Sequence, residues 1–332
     1  MKRVYLIINL TAGKAVISDY LGKIVDEFIK TDYEVTIHTT QSSEDAVYSA
    51  KYACENEFDL LVCAGGDGTL SQCLQGVMQC EKRVPIGYIP AGTTNDFAKS
   101  LGISKEPIAA VKTITEGKLM PCDIGGFNDN YFTYIVAFGA FTNITYETSQ
   151  QFKNIFGHTA YVLGGLWQLT NIRARHMRIE YDGIIIEDEF VFGMVSNTAS
   201  IGGMISMNEY MLNDGQFEVM LIKKPANPMQ LKHILTSLLN INSDIDREYI
   251  RFFRTDKITF ISLDDDPPAW TRDGEFGGTA AVNMIVNHRN AVSFMVNEAN
   301  MKIYNDTINE LNQSEGQLTI EDIEDIASGL AP

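Results

Sequence analysis

The chain has 332 residues, of which 45% are apolar and 21% charged, as in a globular enzyme that is long enough for two domains. Its formal net charge of −17 argues against nucleic acid as a partner, because phosphate binding requires a clustered basic face. No window reaches the roughly 18 apolar residues of a spanning helix, so any membrane contact is expected to be peripheral. Scattered cysteines without a C-x-x-C pair predict the reduced thiols of a cytosolic protein: Cys54, Cys63, Cys73, Cys80 and Cys122.

Strand and helix patterns alternate over the first third of the chain, which predicts an α/β domain with a parallel sheet. The run Leu60–Cys63 has no polar alternation, as expected of a strand that is covered on both faces. The predicted strands are Val4–Ile8, Glu34–His38, Leu60–Cys63 and Ile86–Ile89, and the predicted helices are Val16–Lys30, a segment from Ser42 or Ser43 to about Glu55, Leu70–Met78 and Ile108–Thr115.

Short strands separated by Asp-Gly turns follow after about Met120, and they predict an all-β antiparallel sandwich. The predicted strands are Tyr131–Ala137, Met177–Tyr181, Gly183–Ile186, Phe190–Ser196, Gln216–Ile222, Lys257–Ser262, Ala280–Val286 and Ala291–Val296. Helices are predicted at about 152–172, as an insertion, at Pro228–Asn240 and at Met301–Asn312.

These patterns divide the chain into three parts. Residues 1–120, together with about 297–312 folding back, are the expected α/β domain, and residues 121–296 are the expected β domain. Residues 313–332 are expected to form an acidic, mobile tail, because the last 32 residues hold seven acids and one base.

Three loops follow predicted strands and therefore lie at one edge of the parallel sheet, where ligands bind in such folds. They contain Asn9–Gly13, Gly65–Thr69 and Pro90–Phe97. Close glycines and the helix that follows suit phosphate groups, and Asp67 suits a nucleotide bound with Mg²⁺ or the handling of a proton. A Walker A loop is absent, and each loop by itself is also compatible with an ordinary turn.

Five ordered motifs between residues 2 and 296 resemble the diacylglycerol kinase catalytic-domain family, which includes bacterial soluble lipid kinases and sphingosine kinases. They are N-x-x-A-G from Asn9, G-G-D-G-T from Gly65, P-x-G-T-x-N-D-F from Pro90, Asn213-Asp214-Gly215 and Asp273-Gly274-Glu275. The chain departs from the family pattern at Leu10, where proline is usual, and at Ser71-Gln72, where Asn-Glu is usual.

The resemblance implies an N-terminal domain like that of NAD kinase and phosphofructokinase, with ATP in the cleft between the domains. It implies that Glu275 is the general base, that Asp67 acts on the phosphates through Mg²⁺ and water, and that Asp96 supports Asp67. Asp214 would bind a second Mg²⁺ with backbone carbonyls near Met211 and Gln216. The implied nucleotide-binding residues are Asn9, Leu10, Thr11, Ala12, Gly13, Thr40, Gly65, Gly66, Asp67, Gly68, Thr69, Leu70, Ser71, Gln72, Gly92, Thr93 and Asn95.

The implied reaction is transfer of the γ-phosphate of ATP to a lipid hydroxyl, with diacylglycerol giving phosphatidic acid. Monoacylglycerol, phosphatidylglycerol and long-chain bases stay open as acceptors. The enzyme would be cytoplasmic, would work transiently at the inner membrane face, and could be a homodimer. The basic run Arg173–Arg178 could meet anionic head groups or form a solvated edge. Two alternatives remain: an NAD-kinase-like enzyme and a non-catalytic lipid or nucleotide binder.

Overall fold

The computed structural model describes the chain with several gaps. It covers residues 1–10, 12, 16–93, 95–139, 173–197, 200–201, 205–206, 212–227, 229–230, 233–234 and 248–301. For residues 16, 96, 200–201 and 205–206 the backbone alone is described. The predicted insertion at 152–172, most of the predicted helix at Pro228–Asn240, the predicted helix after Met301 and the predicted acidic tail lie outside these residues.

The first part of the chain is the predicted α/β unit. Four parallel strands lie in the order β4-β3-β1-β2, and β3 and β4 are completely buried, as the unbroken apolar run predicts. The elements are β1 (Lys2–Ile8), α1 (Val16–Lys30), β2 (Tyr33–Thr39), α2 (Ser43–Glu55), β3 (Leu60–Gly65), α3 (Asp67–Met78), β4 (Ile86–Pro90), α4 (Asp96–Ser100) and α5 (Pro107–Glu116).

Local sequence explains where these helices start and what they cover. Helix α1 buries Ile17, Ile24 and Phe28, which recur at helical spacing on one face. Helix α2 is capped by Ser42, whose hydroxyl accepts a hydrogen bond from the amide of Asp45. Helix α3 starts with Gly66 at its N-cap, directly after β3, so its free amides lie at the carboxyl edge of the sheet.

The second part of the chain is mainly antiparallel, as predicted. Fifteen of the described strands join in a single sheet, and β10 and β11 form a separate pair. The elements are β5 (Lys118–Phe127), β6 (Asn130–Phe132), β7 (Ile135–Gly139), β8 (Arg175–Tyr181), β9 (Ile184–Ser196), β10 (Ser200–Ile201), β11 (Ile205–Ser206), β12 (Phe217–Lys223), β13 (Ile250–Thr255), β14 (Lys257–Ser262), β15 (Trp270–Arg272), β16 (Glu275–Gly278) and β17 (Val282–Val296).

Strand β17 connects the two parts of the molecule. It pairs antiparallel with β5 and β14. Near its end it also pairs with β4, where Phe294 lies beside Ile86 in parallel register. Phe294 and Val296 belong to the core of the α/β part, whereas Ile285 belongs to the core of the β part. The boundaries 1–120 and 121–296 therefore remain a prediction, because one strand contributes to both cores.

Two pairs of predicted strands are single strands in the structure. Gly183–Ile186, apart from Gly183 itself, and Phe190–Ser196 form β9, because acidic residues between them have basic partners on adjacent strands: His176 of β8 for Glu187 and Lys223 of β12 for Asp188. Ala280–Val286 and Ala291–Val296 form β17, whose register shifts between His288 and Val292.

The predicted strand Tyr131–Ala137 is divided in the structure. Strand β6 ends at Phe132 and β7 begins at Ile135, because the backbone amides between them turn toward the side chain of Asp273. The sequence prediction did not include helix α4 or strands β5, β10, β11, β13, β15 and β16.

Candidate active site

The three glycine-containing loops meet at one edge of the parallel sheet. The amide of Asn9, after β1, donates to Ala64 O at 2.9 Å, and the amide of Ala91, after β4, donates to Gly65 O at 2.8 Å. The amide of Thr40, after β2, donates to Ile8 O at 2.9 Å. The sheet therefore brings together the starts of all the loops that the sequence assigns to the nucleotide.

Two of the loops touch backbone to backbone. A Cβ added to Gly92 would lie 2.7 Å from the Cα of Gly66, and one added to Gly66 would lie 3.3 Å from the Cα of Gly92. Any side chain at Gly92 would push the two loops apart. The glycines thus serve a close approach of backbone.

Side chains connect the loops that follow β1 and β3. Asn9 Nδ2 donates to the buried hydroxyl of Thr69 at 3.0 Å, and the amide of Ala12 donates to Asn9 O at 3.2 Å. Leu10, the departure from the family pattern, is exposed at the surface. Thr11 and Gly13 lie outside the described residues.

Asn95 shapes its loop from within. It adopts a left-handed backbone (φ 51°) and is buried, and its amide both accepts from Gly92 N at 2.9 Å and donates to Gly92 O at 2.7 Å. The neighbouring Thr93 is exposed, and its carbonyl accepts from Lys105 Nζ at 3.5 Å. Among the residues assigned to the nucleotide, Thr93 is therefore accessible, whereas Asn95 holds Gly92 in place.

Asp67 is the first residue of α3 and is partly buried. Leu70 and Ser71, in the next turn, are buried, while Gln72 is partly exposed. Beneath the loop, a hydrogen bond with Cys73 and burial raise the pKa of the Cys63 thiol well above its usual range. Asp67 is the acidic side chain at the start of α3. Asp96 is the first residue of α4, and its side chain lies outside the described part of the chain.

Glu275 lies against the loop of Asp67 although it comes from the other part of the chain. A Cβ added to Gly68 would lie 3.0 Å from Glu275 Oε1. Glu275 starts β16, directly after a tight turn in which Asp273 and Gly274 have φ angles of 48° and 86°. The fold therefore brings the Glu275 carboxylate against Gly68, the residue that follows Asp67 at the start of α3.

The sequence analysis considered Asp273 only as part of the Asp-Gly-Glu motif. It is 9% exposed, and its carboxylate accepts four hydrogen bonds. Burial raises the pKa of this carboxyl, and the hydrogen bonds oppose that effect. The D-G-E pattern was the available signal, but spacing cannot show that the aspartate is buried. The donors are Thr133 N (2.7 Å), Thr133 Oγ1 (2.9 Å), Tyr134 N (3.0 Å) and Ile135 N (3.1 Å).

The predicted metal ligand Asp214 is bound by protein groups on both oxygens. Its Oδ1 accepts from Gln216 N at 2.9 Å, and its Oδ2 contacts the guanidinium of Arg254. Arg254 Nε also lies 3.4 Å from Glu218, and burial raises the pKa of Glu218 to about 7. In the described part of the chain both carboxylate oxygens of Asp214 thus contact protein groups, and its role as a Mg²⁺ ligand remains a prediction. Met211 lies outside the described residues.

Three further observations concern metal ions and membranes. Within the described side chains, no group of three or more His, Cys, Asp or Glu residues is arranged to hold a metal ion. Arg173 and Arg175 contact Asp266, and Arg178 contacts Glu180, so each arginine of the predicted basic run has an acidic partner. No helix in the described part of the chain combines the length and the hydrophobicity needed to span a bilayer.

Comparisons with known proteins agree with this architecture. Residues 3–127 match the model of the diacylglycerol kinase catalytic domain, and residues 135–294 match the model of the YegS C-terminal NAD kinase beta sandwich-like domain. A diacylglycerol kinase of Bacillus subtilis is 35% identical over 280 residues, which is 84% of this chain and 91% of that protein. One of Staphylococcus carnosus is 32% identical over 285 residues, covering 86% and 92%.

A solved structure shares the fold. The crystal structure of a diacylglycerol kinase from Bacillus anthracis has a TM-score of 0.69 at 23% identity, covering 90% of this chain and 98% of that one. The chain belongs to the diacylglycerol kinase family, and it is a lipid kinase. The NAD-kinase-like alternative is not favoured, because the curated relatives that match most of the chain are named diacylglycerol kinases.

Proposed function

We propose that this enzyme transfers the γ-phosphate of ATP to the hydroxyl of diacylglycerol and so forms phosphatidic acid. The observation that carries the proposal is the position of Glu275, whose carboxylate lies against Gly68 next to Asp67. Phosphoryl transfer depends mainly on alignment and on charge neutralisation, and this edge of the sheet offers both a phosphate-type loop and a separate base.

The nucleotide would lie along the loops that start at Asn9, Gly66 and Ala91. Backbone amides at the start of α3 and the close contact between Gly66 and Gly92 suit the phosphates, since a helix N-terminus attracts anions. The exposed Thr93 is accessible for a further contact with ATP. Asn95 supports this site by holding Gly92.

Asp67 would act on the phosphates of the nucleotide through Mg²⁺ and water, and Asp96 would support Asp67. Mg²⁺ prefers oxygen ligands from carboxylates, phosphates and water. Asp67 offers a carboxylate at the first residue of α3, next to the phosphate-type loop. When bound, Mg²⁺ would neutralise charge that develops on the phosphate oxygens. The proposal assigns no step to a second Mg²⁺ at Asp214, because Arg254 contacts that carboxylate.

Glu275 would remove the proton from the lipid hydroxyl as that oxygen attacks the γ-phosphorus. A general base must come within hydrogen-bond reach of the proton that it accepts, and the turn at Asp273-Gly274 presents Glu275 at the loop edge. The bond between the γ-phosphorus and its bridging oxygen breaks, and ADP leaves with that oxygen. Because the acceptor is a membrane lipid, the enzyme would work peripherally at the inner face of the membrane. The proposal also includes a homodimer as the assembly.

The proposal is tested by incubating the purified protein with labelled ATP, Mg²⁺ and mixed micelles. Separate reactions contain diacylglycerol, monoacylglycerol, phosphatidylglycerol, a long-chain base, or NAD without lipid. We expect label in phosphatidic acid, with less in the other lipids and none in NAD. Label in NAD alone, or ATP binding without transfer to any lipid, would contradict the proposal.

A further inference from the structure

The side chain of Asp273 does more than complete a turn. All of its hydrogen-bond donors belong to residues 133–135, which are the short connection after β6 together with the first residue of β7. The amide of Asp273 also donates to Ile135 O at 2.9 Å. The turn that carries Glu275 is therefore fixed to this connection by five hydrogen bonds that Asp273 makes.

Gln75 fixes the other side of the same connection. Its Nε2 donates to Tyr131 O at 2.7 Å, and its Oε1 accepts from Tyr131 N at 3.0 Å. The amide thus pairs with β6 as a neighbouring strand would. Gln75 lies on α3, the helix that begins at Asp67, so this pair connects β6 to the helix behind the phosphate-type loop.

These contacts form a closed path through the site. It runs from Asp67 along α3 to Gln75, across to Tyr131 and Thr133, through Asp273 to Glu275, and back to Gly68. We propose that Asp273 and Gln75 are positioning residues that fix the Glu275 carboxylate relative to the Asp67 loop. The effect of this positioning on catalysis rests on the proposed role of Glu275 as the general base. The contacts that fix the Glu275 carboxylate do not depend on that role.

An Asp-Gly turn by itself does not require such anchoring. Asp182-Gly183, between β8 and β9, has nearly the same backbone, with φ angles of 48° and 76°. Asp182 is exposed and accepts a hydrogen bond from Thr255 Oγ1 at 3.1 Å, and among the described residues no backbone amide donates to its carboxylate. This second turn in the same chain is a matched control for the first.

The test compares Asp273→Asn with Asp182→Asn, and Gln75→Met with Gln79→Met. Asparagine at 273 would replace one acceptor oxygen by an NH₂ group facing backbone donors, whereas asparagine at 182 keeps its acceptor. Methionine at 75 removes both bonds to Tyr131, whereas Gln79 is exposed at the end of the same helix.

We expect kcat for diacylglycerol to fall about 100-fold in Asp273→Asn and about tenfold in Gln75→Met, because a shift of about 1 Å can cost that much. The KM for ATP should stay within about threefold, since neither side chain belongs to the nucleotide loops. The double variant should lose less than the product of the single losses, because both act through Glu275. The two controls should remain within about twofold of the parent.

Hydrogen exchange provides a readout that does not depend on activity. Amides of residues 270–278 should exchange at least about tenfold faster in Asp273→Asn, with those of β3 unchanged, because opening would be local. Unchanged exchange there together with kcat within threefold of the parent would overturn the inference. Equal acceleration in β3, or a parallel change in the KM for ATP, would indicate general destabilisation and would also overturn it. If the parent enzyme phosphorylates no lipid, the proposed function fails, and the exchange result still decides the inference.

Discussion

At the scale of single residues, a side chain would meet different neighbours at two glycines of the site, Gly68 and Gly92. A Cβ at Gly68 would meet the flexible end of Glu275, whereas a Cβ at Gly92 would meet the backbone of Gly66. The first contact concerns the position of the base, and the second concerns the shape of the loops. Substitution by alanine should therefore separate catalysis from stability at these two positions.

We expect the free energy of unfolding of Gly68→Ala to stay within about 1 kcal/mol of the parent, because the end of the Glu275 side chain can move away. Its kcat should fall about tenfold, because the carboxylate of Glu275 is displaced. Gly92→Ala should lose about 1–3 kcal/mol of the free energy of unfolding, because backbone must shift. Denaturant unfolding and steady-state kinetics of both variants measure this. A Gly68→Ala enzyme with unchanged kcat would contradict the contact with Glu275.

At the scale of elements, the loop between β4 and α4 depends on Asn95 for its conformation. The side chain satisfies both polar groups of Gly92, and asparagine tolerates the left-handed backbone better than most residues. The sequence placed Asn95 among the nucleotide-binding residues because of its motif. The motif could not show that its amide is already used by the backbone three residues earlier.

Asn95→Ala and Asn95→Gly separate the two contributions of this residue. Both variants lose the hydrogen bonds to Gly92, which should lower the free energy of unfolding by about 1–3 kcal/mol. Alanine also adds the strain of a left-handed backbone. We expect both variants to raise the KM for ATP and alanine to lower the thermal midpoint further than glycine. A KM for ATP that is unchanged in both would show that this loop does not contribute to the nucleotide site.

Element boundaries show where sequence reasoning succeeds and where it stops. Helix α1 was predicted with the observed bounds, because its apolar spacing is local information. Strand β9 was divided by the prediction, because the partners of Glu187 and Asp188 lie on other strands. The convergence of the three loops was predictable from parallel topology. The contact of Arg254 with Asp214 was not, since nothing local relates two residues on different elements.

At the scale of the whole molecule, β17 makes the two parts of the chain depend on each other. Phe294 is fully buried in the core of the α/β part and packs on Phe97, with ring centroids 5.1 Å apart. Ile285, on the same strand, lies in the core of the β part with Trp270. Loss of packing at one end of this strand is therefore expected to affect both parts.

Phe294→Ala should lower the free energy of unfolding by about 3–5 kcal/mol and should do so in one cooperative transition. A Trp167→Phe background leaves Trp270 as the fluorescent reporter of the β part. The helical circular dichroism reports mainly the α/β part, because α1 to α5, the longest helices in the described part of the chain, all lie there. Both signals should shift together. A shift of the helical signal with unchanged Trp270 fluorescence would show that the two parts unfold independently.

The kcat of Glu275→Gln with diacylglycerol, at saturating ATP and Mg²⁺, tests the central claim most directly. Glutamine keeps the size of the side chain and removes its ability to accept the proton. We predict a loss of kcat of at least about 100-fold with the KM for ATP within about threefold, as expected when a general base is removed. Turnover of the folded variant within tenfold of the parent would contradict the account.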